Sequence, residues 1–248
     1  MAPLLSLRGV GRDYGAVTAV RSVDLDVFAG EVLAICGDNG AGKSSLIKII
    51  SGAAQPSRGR VWLRGREVRF RSPQDALTQG VATIYQDLAL APRLSIAANV
   101  FMGAERTRGP GFLRVLDKKR MDREARGYLA RLSVEIADMR RPVEGLSGGQ
   151  RQAVAIARAL RWNADIIIMD EPTAALGVKE TAQVLDLIRH LKSEGRTVLL
   201  ISHNMADVAA LATRIAILKA GEKVIDRPVA GLAAADIGRM IMTGVDLG

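Results

Sequence analysis

Three clusters of residues in this chain have types and spacings that could bind and hydrolyse phosphates. The first is the glycine-rich segment Gly37-Asp38-Asn39-Gly40-Ala41-Gly42-Lys43-Ser44, which matches the pattern G-x-x-x-x-G-K-[ST]. Glycines allow backbone N–H groups to turn inward around an anion, and a helix that follows points its positive end at the same place. In this pattern Lys43 reaches the β- and γ-phosphates and Ser44 ligates Mg²⁺. The alternative is a chance glycine-rich turn.

The second cluster consists of two carboxylates, Asp170 and Glu171, which end the apolar run Ile166-Ile167-Ile168-Met169. An acid at the tip of a buried strand can hold Mg²⁺ through water, and a following acid can polarise the attacking water as a general base. Two adjacent acids alone are weak evidence, because strands often end in charged turns. Beside a phosphate loop, they predict that Asp170 holds the metal and Glu171 is the base.

The third cluster is Leu146-Ser147-Gly148-Gly149-Gln150, which precedes a segment with helical spacing through Leu160. The N-terminus of a helix offers free N–H groups and a positive dipole end, so this segment could form a second phosphate site. The alternative is that Ser147 only caps the helix.

The elements around these clusters predict an α/β core that is interrupted by a mainly helical insert. Apolar runs and alternation predict short strands at 5–10, 23–27, 31–36, 61–63, 67–70, 80–86, 165–170, 197–202, 215–218 and 223–225. Helical spacing predicts helices at 42–51, 178–193 and 232–243 and dominates 95–161. Gly109-Pro110-Gly111 breaks that helical region once.

Composition narrows the possible classes of protein. The 248 residues fit one large α/β domain, or a core with an inserted subdomain. The net charge of +9 comes from scattered basic residues without interleaved aromatics, so we expect no nucleic-acid partner. The single cysteine, Cys36, ends an apolar run and is expected in the core. Without an evident signal peptide or a spanning apolar run, we expect a cytoplasmic protein.

In their order along the chain, the three motifs resemble those of ABC (ATP-binding cassette) ATPases, and the resemblance extends from about Leu4 to Lys223. It implies a P-loop ABC ATPase domain with a RecA-like core, an N-terminal antiparallel β portion and an inserted helical subdomain. The implied boundaries are about 1–72 and 162–226 for the core, 73–161 for the helical subdomain and 227–248 for a C-terminal tail.

The resemblance also assigns roles to further residues. Gln86 matches the glutamine that senses Mg²⁺ and water, and His203 matches the histidine that contacts the γ-phosphate. Tyr14 stands where the family places an aromatic ring against adenine, although it could be an ordinary turn residue. The remaining residues implied to contact the nucleotide are Ser45, Ser147, Gly149 and Gln150.

One segment departs from the family pattern. After Asp170-Glu171-Pro172-Thr173 the family commonly has Ser-Ala-Leu-Asp, whereas this chain has Ala174-Ala175-Leu176-Gly177. The missing aspartate belongs to a loop that normally communicates across a dimer. No aspartate role is therefore expected at Gly177.

The resemblance implies partners as well as an activity. Two subunits, as a homodimer or paired cassettes, would face head to tail with each ATP between the phosphate loop of one and the signature helix of the other. They would bind transmembrane permease subunits, and indirectly a substrate-binding protein, at the cytoplasmic face of the inner membrane. A soluble ABC ATPase that serves no transporter, or a regulator without hydrolysis, is the alternative.

Several short sequence segments are most similar to those of single-cassette bacterial importers of monosaccharides such as fructose, ribose or xylose. The similar segments are the Asp38-Asn39 variant of the phosphate loop, Tyr85-Gln86-Asp87-Leu88-Ala89-Leu90, Glu171-Pro172-Thr173-Ala174-Ala175-Leu176-Gly177-Val178 and Ser202-His203-Asn204-Met205. The runner-up is an importer of another small solute, such as an amino acid. The segment from Gln86 through Phe101-Met102-Gly103 is expected to receive the permease's coupling helix.

Overall fold

A ten-stranded sheet organises the larger part of the chain in the computed structural model, which describes residues 2–247. Its strands are β1 (Leu5–Tyr14), β2 (Val17–Val27), β3 (Val32–Cys36), β4 (Arg58–Leu63), β5 (Arg66–Val68), β6 (Val81–Ile84), β9 (Ile166–Asp170), β10 (Thr197–Ile201), β11 (Arg214–Lys219) and β12 (Glu222–Pro228). Their spatial order is β5-β4-β1-β2-β12-β11-β3-β10-β9-β6. Strands β1, β2, β4 and β5 pair antiparallel, as predicted for the N-terminal β portion.

The central strands β3, β9 and β10 are parallel and lie next to one another. They consist of apolar residues that are buried almost throughout, which is typical of a parallel sheet covered on both faces. Ile201 pairs with Ile35 on one side and with Asp170 on the other. Because these three strands end at the same edge, the loops that follow them meet there.

Strands β1 and β2 are longer than the sequence predicts. Register shifts interrupt their pairing between Leu7 and Val10 and again between Val10 and Arg12. Such bulges disturb the alternation of apolar and polar residues, which explains why the sequence predicted only the regular ends. The longer strands bring Tyr14 opposite Val17 at the turn of the hairpin.

Eight helices accompany the strands within the described residues. They are α1 (Lys43–Ile50), α2 (Pro73–Thr78), α3 (Ile96–Phe101), α4 (Lys118–Arg131), α5 (Gly148–Arg161), α6 (Val178–Ser193), α7 (Met205–Leu211) and α8 (Ala234–Thr243). The bounds predicted for α6 are confirmed, and those of α1 and α8 are correct to within two residues. Helices α2 and α7 were not predicted, since each has only six or seven residues.

The chain divides into two compact units. The first contains residues 2–83, Ala164–Glu171 and residues 191–247, and its core lies on the sheet. The second contains Ile84–Asn163 and Pro172–His190. The domain boundaries implied by the resemblance remain predictions.

Helices α3, α4 and α5 pack against one another in the second unit. Their buried contacts include Ile96, Phe101, Leu129 and Ile156. A two-stranded hairpin, β7 (Thr107–Arg108) with β8 (Val115–Leu116), also belongs to this unit. The sequence predicted only a break in helical spacing there.

Candidate functional site

The glycine-rich loop connects β3 to α1 and depends on glycine at two positions. Gly37 has φ +146° and Gly42 has φ +101°. A Cβ atom would lie 2.3 Å from the Leu218 carbonyl oxygen at Gly37, and 2.5 Å from the Ala19 carbonyl oxygen at Gly42. Both the backbone angle and the available space therefore exclude a side chain, and the loop stays close to the sheet.

The start of α1 is electropositive. Gly42 is its N-cap, no side chain caps it, and its first turn contains no acidic residue. Lys43 adds a full positive charge: its Nζ donates to the carbonyl oxygens of Gly37 at 2.6 Å and Asp38 at 2.9 Å. Uncapped N–H groups at a helix start and a lysine in the same loop can bind a phosphate group. The predicted phosphate-contacting residues Gly37 and 39–45 lie on this loop and on the first turn of α1, where Asn39, Gly40 and Ser44 are exposed and Ala41 is buried.

Glu171 and His203 are in direct contact at the edge where β9 and β10 end. His203 Nδ1 lies 2.7 Å from Glu171 Oε2, and the His203 backbone N–H donates to the same oxygen at 3.4 Å. Glu171 has φ +51°, an uncommon backbone conformation for a residue other than glycine, and its N–H donates to the Ile201 carbonyl at 2.9 Å. The Glu171 side chain is largely buried, whereas that of His203 is 77% exposed. A largely buried carboxylate is thus in contact with an imidazole that is mostly exposed to solvent.

Asp170 lies beside these residues at the end of β9. Burial, together with the negative charge of Glu171, raises the pKa of Asp170, while the positive charge of Lys43 lowers it. Burial disfavours the charged form of a carboxylate, and a nearby cation stabilises that form. The structure describes no group of three or more His, Cys, Asp or Glu side chains that could hold a metal between residues 2 and 247. Asp170 could contribute one carboxylate oxygen to a cation such as Mg²⁺, which takes few protein ligands and keeps water and phosphate oxygens.

Tyr14 lies against the first turn of α1. Burial tends to raise the pKa of the Tyr14 hydroxyl, but polar interactions with Ser45 and Arg12 outweigh it and lower that pKa. The Arg12 guanidinium carbon is 4.7 Å from the Tyr14 ring centroid, and Tyr14 is 43% exposed. The ring is therefore held next to the phosphate loop with part of its surface available. The contact of Arg12 with Tyr14 was not predicted from the sequence, because the bulged part of β1 was not predicted as strand.

The third cluster of the sequence, residues 146–150, leads into the start of α5 in the second unit. Ser147 Oγ accepts from the Gln150 N–H at 3.2 Å, and Gln150 Oε1 accepts from the Ser147 N–H at 3.1 Å. This capping box confirms that Ser147 caps the helix. It does not test the predicted phosphate role of Ser147, Gly149 and Gln150.

Glu180, on α6, is a residue of this region that sequence reasoning missed. Its Oε1 accepts from the Gly148 N–H at 2.7 Å, and its Oε2 accepts from the Gly177 N–H at 3.4 Å. A Cβ atom at Gly148 would lie 2.5 Å from Leu176 Cδ2, so the Leu176 side chain would have to move to admit one. The carboxylate thus connects the start of α5 to the segment that departs from the family pattern.

The predicted site residues therefore fall into two groups. Those in the first unit are Tyr14, the phosphate loop with Ser45, Asp170, Glu171 and His203. Those in the second unit are Gln86, Ser147, Gly149 and Gln150. Gln86 is exposed and follows β6, which ends at Ile84, two residues earlier than the sequence predicts. Cys36 is in the core, where burial raises its pKa to about 12.

Comparison with known proteins places the chain in a family. A sequence model of the family described as ABC transporter matches residues 20–174. The fructose import ATP-binding protein FrcA of Rhizobium meliloti is 49% identical over 90% of this chain and 87% of its own length. The xylose/arabinose import ATP-binding protein XylG of Sulfolobus acidocaldarius is 48% identical over 92% of this chain and 89% of its own length.

A longer relative contains a similar segment. A ribose import ATP-binding protein of Rubrobacter xylanophilus is 42% identical across 100% of this chain, which spans 49% of that protein.

Solved structures agree with the fold. A dimeric ATP-binding cassette in a post-hydrolysis state, bound to ADP and phosphate, is 27% identical with a TM-score of 0.73 and covers 92% of this chain and 100% of its own. A nucleotide-free cassette from an ABC transporter is 25% identical with a TM-score of 0.79 and covers 91% of this chain and 92% of its own. The chain therefore belongs to the ABC transporter family of ATP-binding proteins and is an ATPase.

Proposed function

We propose that this ATPase powers the import of a monosaccharide through a membrane permease. The observation that carries the proposal is the 49% identity with a fructose import ATP-binding protein over 90% of the chain. A second relative, named for xylose and arabinose import, is 48% identical. The sequence segments around Gln86, Gly177 and His203, which resemble those of monosaccharide importers, support the same class of importer.

The first unit would hold the nucleotide. The amides at the start of α1 and the ammonium of Lys43 would bind the phosphates of ATP, and Tyr14 would pack on adenine. Lys43 is already directed into the loop by its hydrogen bonds to Gly37 and Asp38. Mg²⁺, held by Ser44 and Asp170, would neutralise phosphate charge when bound.

Glu171 would act as the general base that removes a proton from the attacking water. Two contacts position Glu171: its carboxylate lies 2.7 Å from His203 Nδ1, and its backbone N–H donates to the Ile201 carbonyl oxygen. His203 would hold the carboxylate and contact the γ-phosphate through its exposed ring. These are the chemical steps that the described side chains could perform.

Hydrolysis would need two copies of the chain or a paired cassette. The start of α5 would complete the site of the opposite subunit, with Ser147, Gly149 and Gln150 facing its γ-phosphate. A dimeric cassette with ADP and phosphate, 27% identical to this chain, supports such an assembly. Gly177 carries no proposed contact of its own.

Within residues 2–247 no helix is long and apolar enough to cross a bilayer. The permease would supply the membrane path, and a binding protein would deliver the sugar to it. The segment from Gln86 through Phe101-Met102-Gly103, which includes α3, would receive the permease at the cytoplasmic face of the inner membrane.

Uptake measurements test the proposal. Deleting the gene should abolish uptake of one labelled monosaccharide among fructose, ribose and xylose. The wild-type gene should restore uptake, and the Glu171→Gln variant should not. If every monosaccharide enters at the wild-type rate while uptake of an amino acid or another solute collapses, the sugar assignment is wrong.

A further inference from the structure

The β7–β8 hairpin, residues 107–116, presents an exposed apolar tip. Every residue from Thr107 to Leu116 is exposed. Phe112 is 96% exposed, more than any other large apolar side chain among the described residues, and Leu113 beside it is 62% exposed. Val115 and Leu116 add further apolar surface. A contiguous apolar group of this kind marks a contact surface.

Basic side chains lie on the hairpin itself and on α4, the helix that follows it. The exposed ones are Arg108 and Arg114 on the hairpin and Lys118, Lys119 and Arg123 on α4. Within residues 2–247 none of these five forms an ion pair. The nearby acids are engaged elsewhere: Glu124 accepts from Arg106 and Arg120, and Asp117 accepts from the Arg120 N–H. The tip therefore combines apolar side chains with uncompensated positive charge.

The base of the hairpin is anchored by hydrogen bonds, one of them to α4. Arg106 Nε donates to Glu124 Oε2 at 3.0 Å, and the Asp117 N–H donates to the Arg106 carbonyl at 2.8 Å. Thr107 pairs with Leu116 above this anchor. Gly109, at φ +100°, provides the turn toward the tip.

We propose that this hairpin binds the surface of an anionic membrane. Its basic side chains match lipid phosphates and its apolar tip matches the boundary between headgroups and acyl chains. The cytoplasmic loops of membrane proteins carry an excess of Lys and Arg, which would repel the same hairpin, so charge favours lipid over the permease. The contact goes beyond the proposed function and does not depend on the solute imported.

Sedimentation with vesicles tests the contact on the full chain. The wild-type protein should sediment with phosphatidylcholine vesicles that contain about one third phosphatidylglycerol, and much less with pure phosphatidylcholine. Phe112→Ser should lower the partition coefficient about tenfold. Arg108→Ala with Arg114→Ala should lower it about 30-fold at low salt, and added salt should shrink that difference.

Matched controls distinguish the effect of the hairpin from general effects of surface charge and surface hydrophobicity. Met242→Ser removes an apolar side chain that is exposed on α8, and Arg66→Ala with Lys192→Ala removes two exposed positive charges elsewhere. These controls should sediment like the wild type. ATP hydrolysis in solution should be unchanged in both hairpin variants, whatever the fate of the transport proposal. Equal sedimentation of hairpin and control variants, or binding only to vesicles that contain the permease, would overturn the lipid contact.

Discussion

The helices α1 and α5 both begin at glycine-rich turns that the sequence associates with phosphate, yet their first backbone amides have different partners. At α1, Gly42 is the N-cap and no side chain caps the helix. At α5, Ser147 and Gln150 bond reciprocally, and Glu180 accepts from the Gly148 N–H. One helix start is left positive, whereas the other is already bonded within the chain.

This difference indicates two ways of binding the same nucleotide. The start of α1 has no side-chain cap and no acidic residue in its first turn, and together with Lys43 it can hold phosphates in a single copy. Because the Glu180 carboxylate is negatively charged and accepts from the Gly148 N–H, it weakens the electrostatic attraction between the start of α5 and a free anion. We therefore expect α5 to contribute only when a second copy brings a nucleotide that is already bound.

The largest effect should come from a change that leaves both helix starts intact. Glu171→Gln should lower ATP turnover at least about a hundredfold, because the positioned base is lost. ATP affinity should persist, since α1 and Lys43 are unchanged. Phosphate release and nucleotide titration measure the two quantities, and Asp186→Asn on the exposed face of α6 is the control. Near-normal turnover would refute the general-base role.

A substitution at the second helix start should separate hydrolysis from binding. Ser147→Arg should lower turnover about tenfold or more, because added bulk and charge would keep two copies apart. Its ATP affinity as a monomer should stay within about twofold of the wild type. Lys43→Ala should behave in the opposite way and lose affinity directly. If the Ser147→Arg monomer loses affinity for ATP, the assignment of Ser147 to the nucleotide of the opposite subunit is wrong.

Glu180 offers a smaller test of the same comparison. Glu180→Gln keeps the side-chain shape but removes the charge at the start of α5, so turnover should change about threefold. Monomer affinity for ATP should not change, because α1 belongs to the other unit. Thermal unfolding of Glu180→Gln and of the Asp186→Asn control shows whether folding is preserved. An altered monomer affinity would contradict the separation of the two helix starts.

Asp170 should show the smallest effect, on stability. Burial, and then the charge of Glu171, raises its pKa above 3.8 in the folded protein, so the folded chain holds this proton to higher pH than the unfolded chain. The resulting destabilisation is absent at low pH and complete once pH exceeds the raised value. Asp170→Asn should therefore raise Tm by roughly 1 to 3 °C at pH 7.

The same variant has a built-in check. Its advantage in Tm over the wild type should shrink as pH falls through the raised pKa of Asp170 and vanish well below 3.8, where both chains carry an uncharged group. An advantage that is independent of pH would mean that charge at Asp170 is not the cause.

The sequence predicted the parts of the site that local pattern determines. The phosphate loop, the two acids after β9 and helix α6 follow from glycine spacing, an apolar run and helical periodicity. The parallel strands β3, β9 and β10 were found because burial on both faces leaves continuous apolar runs.

The remaining features depend on contacts between distant residues or on exposure. Glu180 bonds to Gly148 across 32 residues, and no local pattern marks such a pair. The β7–β8 hairpin is exposed on both faces, so it lacks the alternation that identifies a strand. The bulges in β1 hid the strand that carries Arg12 and Tyr14.

Light scattering on the Glu171→Gln variant tests most directly whether the two helix starts share one nucleotide across two copies. Without nucleotide the variant should have the mass of one chain, 26.5 kDa. With ATP the mass should double, because neither copy can release the shared γ-phosphate, and adding Ser147→Arg should restore the mass of one chain while ATP stays bound. A mass that does not change with ATP, or a doubling that Ser147→Arg does not prevent, would contradict the shared site.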